Sequence, residues 1–336
     1  MSAGERMNRR HFVTSLGCLL ASPLVGEAQQ RSRLHRVAFL TLNPRSGPAP
    51  VMLDALRQRF GELGYRDGEN LVVEHRFAGG DRDRLLALAL DVAKLQPAVI
   101  VTFGTPATMA ARDAAPTVPI VFIGVGDPVG SGFAESLARP TGKLTGFSFV
   151  GPELAGKNLE LLKLAIPEAS RIAVLAPGDP GQPLIRAVRS VLEQGARTLH
   201  VTLERFQIRS KVEQLDAALD AMAARRPGAL LTLNDPLFLI HRARILSTAD
   251  RLRLPTMFQA KEYTAAGGLL AYLPNYADQG NRAADYVDRI LKGTTPGDLP
   301  VEQPTRFELV INMKTARAFG LTIPASLLVR ADQVIE

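Results

Sequence analysis

The sequence predicts an α/β protein made of two doubly wound, Rossmann-like lobes joined by a hinge of several extended crossings. Short apolar runs rich in Val and Ile, without polar alternation, recur along the chain and read as strands buried on both faces. Stretches of helical periodicity separate them, which implies parallel pairing and right-handed crossovers. The alternation pauses after residue 127 and restarts at residue 152, so one pattern runs twice without any repeat in sequence.

In the first run, residues 36–42 (RVAFLTL) read as a buried strand and 43–48 (NPRSGP) as a loop. Met52, Leu53, Leu56, Phe60 and Leu63 then recur near helical spacing until Gly64 stops the helix. A strand at 70–77, a Gly79-Gly80-Asp81 turn and a helix to 95 lead to the central unit, PAVIVTFGTPATMAARDAAPTVPIVFIGVGDP at 97–128. That unit reads strand, short helix from Thr105, strand. Ligands of such sheets sit beyond the carboxyl ends of the strands, so Gly104-Thr105-Pro106 and Gly126-Asp127-Pro128 are expected side by side at one rim.

Residues 128–143 read as loop and 144–150 (LTGFSFV) as an extended segment. The second run has a helix at 152–165, strands at 171–175, 199–206, 229–233 and 256–259, and helices to 195, over 211–224 and over 237–252. The tail adds a strand at 267–272, a helix at 275–291 closed by Gly293, a Pro-rich connector at 294–304, an alternating strand through Phe307, Leu309 and Ile311, and a short helix at 314–319. The expected division is residues 34–144 plus 274–304 for lobe 1, and 145–273 plus 305–336 for lobe 2. Repeated crossings of this kind form a hinge, and hinged lobes enclose a ligand between them.

With 46% hydrophobic and 22% charged residues in 336, the chain has the composition of a folded globular protein of about two domains at ~150 residues each. Its net charge of +7 is spread along the sequence without a cluster of Lys, Arg and aromatics, so no nucleic-acid partner is expected. Residues 7–28 (MNRRHFVTSLGCLLASPLVGEA) carry a basic start, an apolar core and small residues flanking Glu27, the pattern of a cleavable export leader ending near Ala28. Arg9-Arg10 resembles the twin-arginine motif, and a general secretory leader fits equally. Cleavage there removes Cys18, the single cysteine, whereas lipidation would keep it. The expected location is periplasmic.

The common catalytic signatures are missing from the sequence. His35, His75, His200 and His241 are far apart, with no pair at i and i+4. There is no G-x-S-x-G elbow and no G-x-x-x-x-G-K-[ST] loop. Gly124-Val125-Gly126 lacks the third glycine and acidic partner of a dinucleotide site. No metal, cofactor or catalytic residue is assigned.

The tail GGLLAYLPNYADQGNRAADYVDRILKGTTPGDLPVEQPTRFELVINMKTARAFGLTIPASLL, the closing VRADQVIE, and the earlier VTFGTPAT, VFIGVGDPVGSGF and TGFSF resemble a bacterial group of ABC-transporter substrate-binding proteins. That group has the type I periplasmic-binding fold and includes receptors for aromatic amino acids. The likeness covers nearly all of residues 36–336. It implies an exported solute receptor that hands its ligand to an inner-membrane ABC permease, and it does not fix the ligand; the expectation adopted is a non-enzymatic protein that closes on a small carboxylate-bearing solute, an amino acid or aromatic acid. The protein is expected to be a monomer or weak dimer. Two other readings use the same cleft: a ligand-sensing partner of a membrane sensor kinase, and an exported enzyme.

For the site, the resemblance points to Asn43 and Arg45 in the first loop, and to the helix opening at Gly104, Thr105 and Ala107. There backbone N–H groups and Thr105 Oγ1 would hold a carboxylate, unless Thr105 is a simple N-cap. Asp127 would pair with an ammonium or hydroxyl, or cap a turn. Phe147 and Ser148 lie in the crossing strand, where packing competes with ligand contact. From lobe 2 come Asp179, Asn234, Asp235, Glu262 and Tyr263 at strand ends, with Asn234-Asp235-Pro236 equally good as a turn. Phe103, Phe147, Tyr263 and Tyr272 are the candidates to stack on an aromatic solute.

Overall fold

The computed structural model describes residues 34–209 and 211–336, so the expected leader and Cys18 lie outside the described residues. The first run comprises β1 (His35–Thr41), α1 (Pro48–Glu62), β2 (Leu71–Phe77), α2 (Arg82–Lys94), β3 (Val99–Phe103), α3 (Thr105–Ala114) and β4 (Ile120–Val125). A small antiparallel ribbon, β5 (Ala134–Ser136) with β6 (Arg139–Pro140), then precedes β7 (Leu144–Ser148). The ribbon falls where the sequence reads as loop, because strands of three and two residues are too short to show a period.

The second run comprises α4 (Gly151–Ala165), β8 (Arg171–Pro177), α5 (Pro183–Thr198), β9 (Thr202–Ile208), α6 (Val212–Arg225), β10 (Ala229–Thr232), α7 (Pro236–Ile240), α8 (Arg242–Arg251), β11 (Thr256–Phe258), α9 (Lys261–Ala265) and β12 (Leu270–Pro274). The tail supplies α10 (Tyr276–Leu291), β13 (Phe307–Asn312), α11 (Met313–Phe319), α12 (Ala325–Leu328) and β14 (Gln333–Ile335). The single helix expected over 237–252 is broken at His241, which ends α7 and begins α8.

Two sheets result. The first runs β2-β1-β3-β4-β7, with every pair parallel. The second begins with the same order, β9-β8-β10-β11-β12, and is extended by antiparallel β13 and then β14. The boundary expected between 144 and 145 therefore moves: β7 pairs with β4 through Leu144 to Ser148 and stays with the first sheet. The glycine and small residues of LTGFS look like a connector in sequence, yet all five are buried.

Each sheet is covered on both faces, which accounts for its unbroken apolar strands. Val37, Phe39, Val99, Val101, Val121 and Ile123 point toward Met52, Leu56 and Phe60 of α1 and Ala283 and Val287 of α10. The intervening Ala38, Leu40, Ile100, Ile120 and Phe122 point toward Leu85, Val92, Ala107 and Ala111 of α2 and α3. The second sheet is arranged likewise, with Ile172, Val174 and Leu231 against α4 and α5, and Ala173, Leu175 and Leu230 against α6 and α8.

The chain passes between the sheets from β7 into α4, from β12 into α10, and from residue 302 back to β13. Helix α10 belongs with the first sheet, where Arg59 Nε meets Asp285 Oδ1 of α10 at 2.8 Å and Tyr65 donates to Asp288 Oδ1 at 2.9 Å. The return strand is tied to β7 by the Ser148 N–H, which donates to Glu302 O at 2.8 Å.

Candidate functional site

In each sheet the strand order reverses beside the first strand, between β1 and β3 and between β8 and β10. The loops leaving two such strands diverge and open a crevice at their carboxyl ends. The two crevices face one another across a cavity of about 540 Å³, within the range of small-molecule sites. Leu42 and Asn43 follow β1, Phe103, Gly104 and Thr105 follow β3, and Gly124 and Gly126 come from the end of β4. Opposite them stand Pro177 after β8, Leu233, Asn234 and Asp235 after β10, and Gln259 after β11.

The walls are largely apolar: Leu42, Phe103, Phe149, Leu184, Val188, Leu233, Leu237 and Ile240 all border the cavity. A second, apolar hollow of about 290 Å³ beneath α5 shares Ile185, Val188 and Leu233 with it. Outside, a shallower hollow carries the charges Arg82, Asp179, Arg209 and Asp235. Arg82 and Asp235 border both spaces, so they mark the mouth of the cleft.

The polar groups have distinct origins. Gly104, at φ +88°, is the N-cap of α3, so Thr105 is the first helical residue and not the cap. No described side chain caps α3, so its opening N–H groups, beginning with Thr105, lie at the helix end that Thr105 and Pro106 present to the cavity. Thr108 Oγ1 instead ties the turn down by donating to Gly104 O at 3.1 Å. On the other wall, Asp235 Oδ1 accepts from Leu237 N–H at 2.8 Å. Burial pushes the Asp235 carboxyl above the usual range, against the opposing pull of the Leu237 N–H and of the Arg82 charge. Asn234 N–H donates to Gln259 Oε1 at 3.0 Å.

Thus Asn43, Phe103, Gly104, Thr105, Asn234 and Asp235 meet at one cavity, while Asp179 stands in the outer hollow and accepts from Gly181 N–H at 2.8 Å. The other candidates have structural surroundings. Arg45 is exposed and lies over the Phe77 ring at 5.4 Å. The Ala107 side chain is in the core. Asp127 Oδ1 caps a turn through Gly130 N–H at 2.8 Å. Phe147 is packed 4.9 Å from Tyr286 and under Arg282, which pairs with Glu302. Ser148 is buried and bonded to Glu302.

Tyr263 is stacked on Phe258 at 4.0 Å and Tyr272 on Phe307 at 5.5 Å, neither bordering the cavity. Glu262 also lies outside the lining; its Oε2 is buried without a partner among the described residues, and burial raises its carboxyl above the usual range.

Sequence reasoning missed Arg82, Phe149, Gln259, Tyr276 and Gln279. Arg82 opens α2 just past β2, so the strand-end rule that selected Thr105 also points to it. Phe149 was passed over for Phe147, which faces α10. Tyr276 and Gln279 are one turn apart on α10, where only the apolar stripe draws notice in sequence.

Residues 51–335 match the family model described as ABC transporter substrate binding protein. The chain is 25% identical over 262 residues to a tyrosine-binding protein of Clostridioides difficile (strain R20291), spanning 77% of this chain and 74% of that one. It superposes on a conserved domain protein from Vibrio cholerae with a TM-score of 0.79 and 27% identity, covering 90% of this chain and 99% of that one. A Streptococcus pneumoniae ABC domain in complex with L-Trp shares the fold at a TM-score of 0.79 and 22% identity, covering 90% and 100%.

Proposed function

The chain belongs to the ABC transporter substrate binding protein family, and from that premise we propose that it captures a small solute bearing a carboxylate, an amino acid with an aromatic side chain, in the cleft between its two sheets. The family makes it a binding component of a transporter and not an enzyme. Its further partner is an ABC permease, and its place of work is the periplasm.

The observation that carries the solute class is the pairing of an uncapped helix opening with a half-buried carboxylate across an apolar, ring-bearing cavity. The N–H groups of Thr105 and Ala107 receive a carboxylate, helped by the helix dipole. Asp235 receives an ammonium. Phe103, Phe149 and Tyr276 offer rings to an apolar side chain, whose burial contributes roughly 1.5–3 kcal/mol. The tyrosine-binding relative and the L-Trp complex support the same class.

Calorimetric titration of the chain with L-tyrosine, L-tryptophan, L-phenylalanine, the matching amine-free acids and neutral sugars tests the reading. Binding of aromatic amino acids at one site per chain, with the amine-free acids much weaker, is expected. Tight binding of a sugar with no response to any amino acid overturns it.

A further inference from the structure

Gln279 is 1% exposed, borders the cavity, and has neither Nε2 nor Oε1 in a hydrogen bond with any of the described residues. A buried donor or acceptor left unpaired costs about 1–3 kcal/mol, and this amide carries both. Among the described residues, Thr232 Oγ1 is also unpaired but lies outside the cavity lining, and Asn158 leaves Oδ1 unpaired while its Nδ2 donates to Leu154 O at 2.8 Å. A leucine would fill the place of Gln279 without that penalty, so the amide is retained for something that enters the cavity.

Its neighbourhood says what enters. Tyr276, one turn earlier on α10, faces the same cavity and stands edge-on to Phe103 with ring centroids 6.1 Å apart. Burial raises the Tyr276 hydroxyl well above its ordinary pKa, so it stays protonated and neutral. Asn43, on the same sheet's side, is also uncharged. The charged Arg82 and Asp235 lie at the mouth, next to the outer hollow that Tyr276 and Gln279 do not border. Charge is thus offered at the entrance, and neutral hydrogen bonding beside two aromatic rings within.

We propose that Gln279 is a specificity-determining residue that reads a hydroxyl on the aromatic ring of the solute, Oε1 accepting from the hydroxyl and Nε2 donating to its oxygen. This rests on the reading of the cleft as an aromatic amino acid site. A site built to bond a hydroxyl rejects an analogue lacking it far more strongly than an apolar pocket rejects a size change, because its own polar groups are then left unpaired.

Wild-type chain and Gln279→Leu are titrated with L-tyrosine and L-phenylalanine, and both are melted without ligand. The wild type is expected to prefer L-tyrosine by roughly 100-fold or more, and the variant to lose most of that preference by weakening for L-tyrosine while L-phenylalanine binds as well or better. The ligand-free variant is expected to melt at the same temperature or higher, since an unpaired amide is replaced by an apolar group of similar size. A lower melting temperature, or a preference that survives the substitution, assigns Gln279 a structural role and overturns the proposal. Equal binding of the two amino acids to wild type defeats the hydroxyl assignment alone. No binding of either defeats the aromatic amino acid reading, and the hydroxyl with it.

Discussion

At Asp235 two demands meet on one side chain. Its carboxylate caps α7 through Leu237 N–H and is also half-buried at the mouth of the cavity, and that burial lifts its pKa. A folded-state pKa above the unfolded one means that the folded protein holds the proton more tightly. Its contribution to stability is then fully present below the unfolded pKa and is lost as pH rises through the folded one. Asp235→Asn keeps a good capping residue and removes the half-buried charge. The ligand-free variant should therefore melt higher than wild type at neutral pH, while binding an amino acid about 10- to 100-fold more weakly, a loss of roughly 1.4–2.8 kcal/mol.

The same group sets a pH dependence of binding. An ammonium pairs with the carboxylate and not with the acid, so wild-type affinity should fall as pH drops through the raised pKa of Asp235, with a proton released on binding in that window. Calorimetry in buffers of different ionisation enthalpy reads that proton. A flat profile in wild type, or an unchanged slope in Asp235→Asn, would remove Asp235 from ligand contact.

Among elements, α10 connects the fold to the site most directly. It packs on α1 through one face and presents Tyr276 and Gln279 to the cavity from its first turn. That turn is held by Asn275, whose Oδ1 accepts from Asp278 N–H at 2.7 Å. Asn275→Ala should cost about 1 kcal/mol of stability, read by denaturant unfolding, and should also weaken ligand binding by loosening the turn. A stability loss with unaltered affinity would mean that the first turn of α10 does not shape the cleft.

This element also marks where the sequence is legible and where it is not. The strands β1, β3 and β4 are runs of Val, Ile and Phe that only two-sided burial explains, and the rim after β3 is legible at Gly104 and Thr105, whereas Asn43 rests on the family resemblance and Phe103 on its ring. Helix α10 is equally plain as a helix. Nothing in its spacing says that its first turn faces a ligand, because that depends on α10 crossing back to lie on α1. Strand-end position points to Glu262 and Tyr263, and its ring to Tyr272, but none of the three borders the cavity, and the two rings stack on Phe258 and Phe307. Position along a strand is written in the sequence; the direction of a side chain just beyond it is set by packing.

Over the whole molecule, the two halves meet through glycines. A Cβ built on Gly47 would lie 2.7 Å from Leu239 Cδ2, one on Gly80 2.4 Å from Ile240 Cδ1, and one on Gly126 2.5 Å from Leu184 Cδ2. Three aliphatic side chains of the second half thus seat against bare backbone of the first, beside the cavity. Gly126 has no positive φ, so substituting it adds bulk without backbone strain. Gly126→Leu should hold the halves apart, with little change in stability and a 10-fold or greater loss of affinity, and should abolish the ligand-induced contraction that small-angle scattering is expected to show in wild type. Contraction of the variant equal to that of wild type would show that these contacts do not govern closure.

The central claim is that a solute lies between the uncapped opening of α3 and Asp235. A crystal structure of the protein grown with L-tyrosine tests this most directly. The expected result is density for the amino acid in that cleft, its carboxylate on the N–H groups of Thr105 and Ala107 and its ammonium on Asp235. A complex that binds L-tyrosine in solution, yet shows the amino acid outside the cleft with Thr105 and Asp235 untouched, would contradict the account.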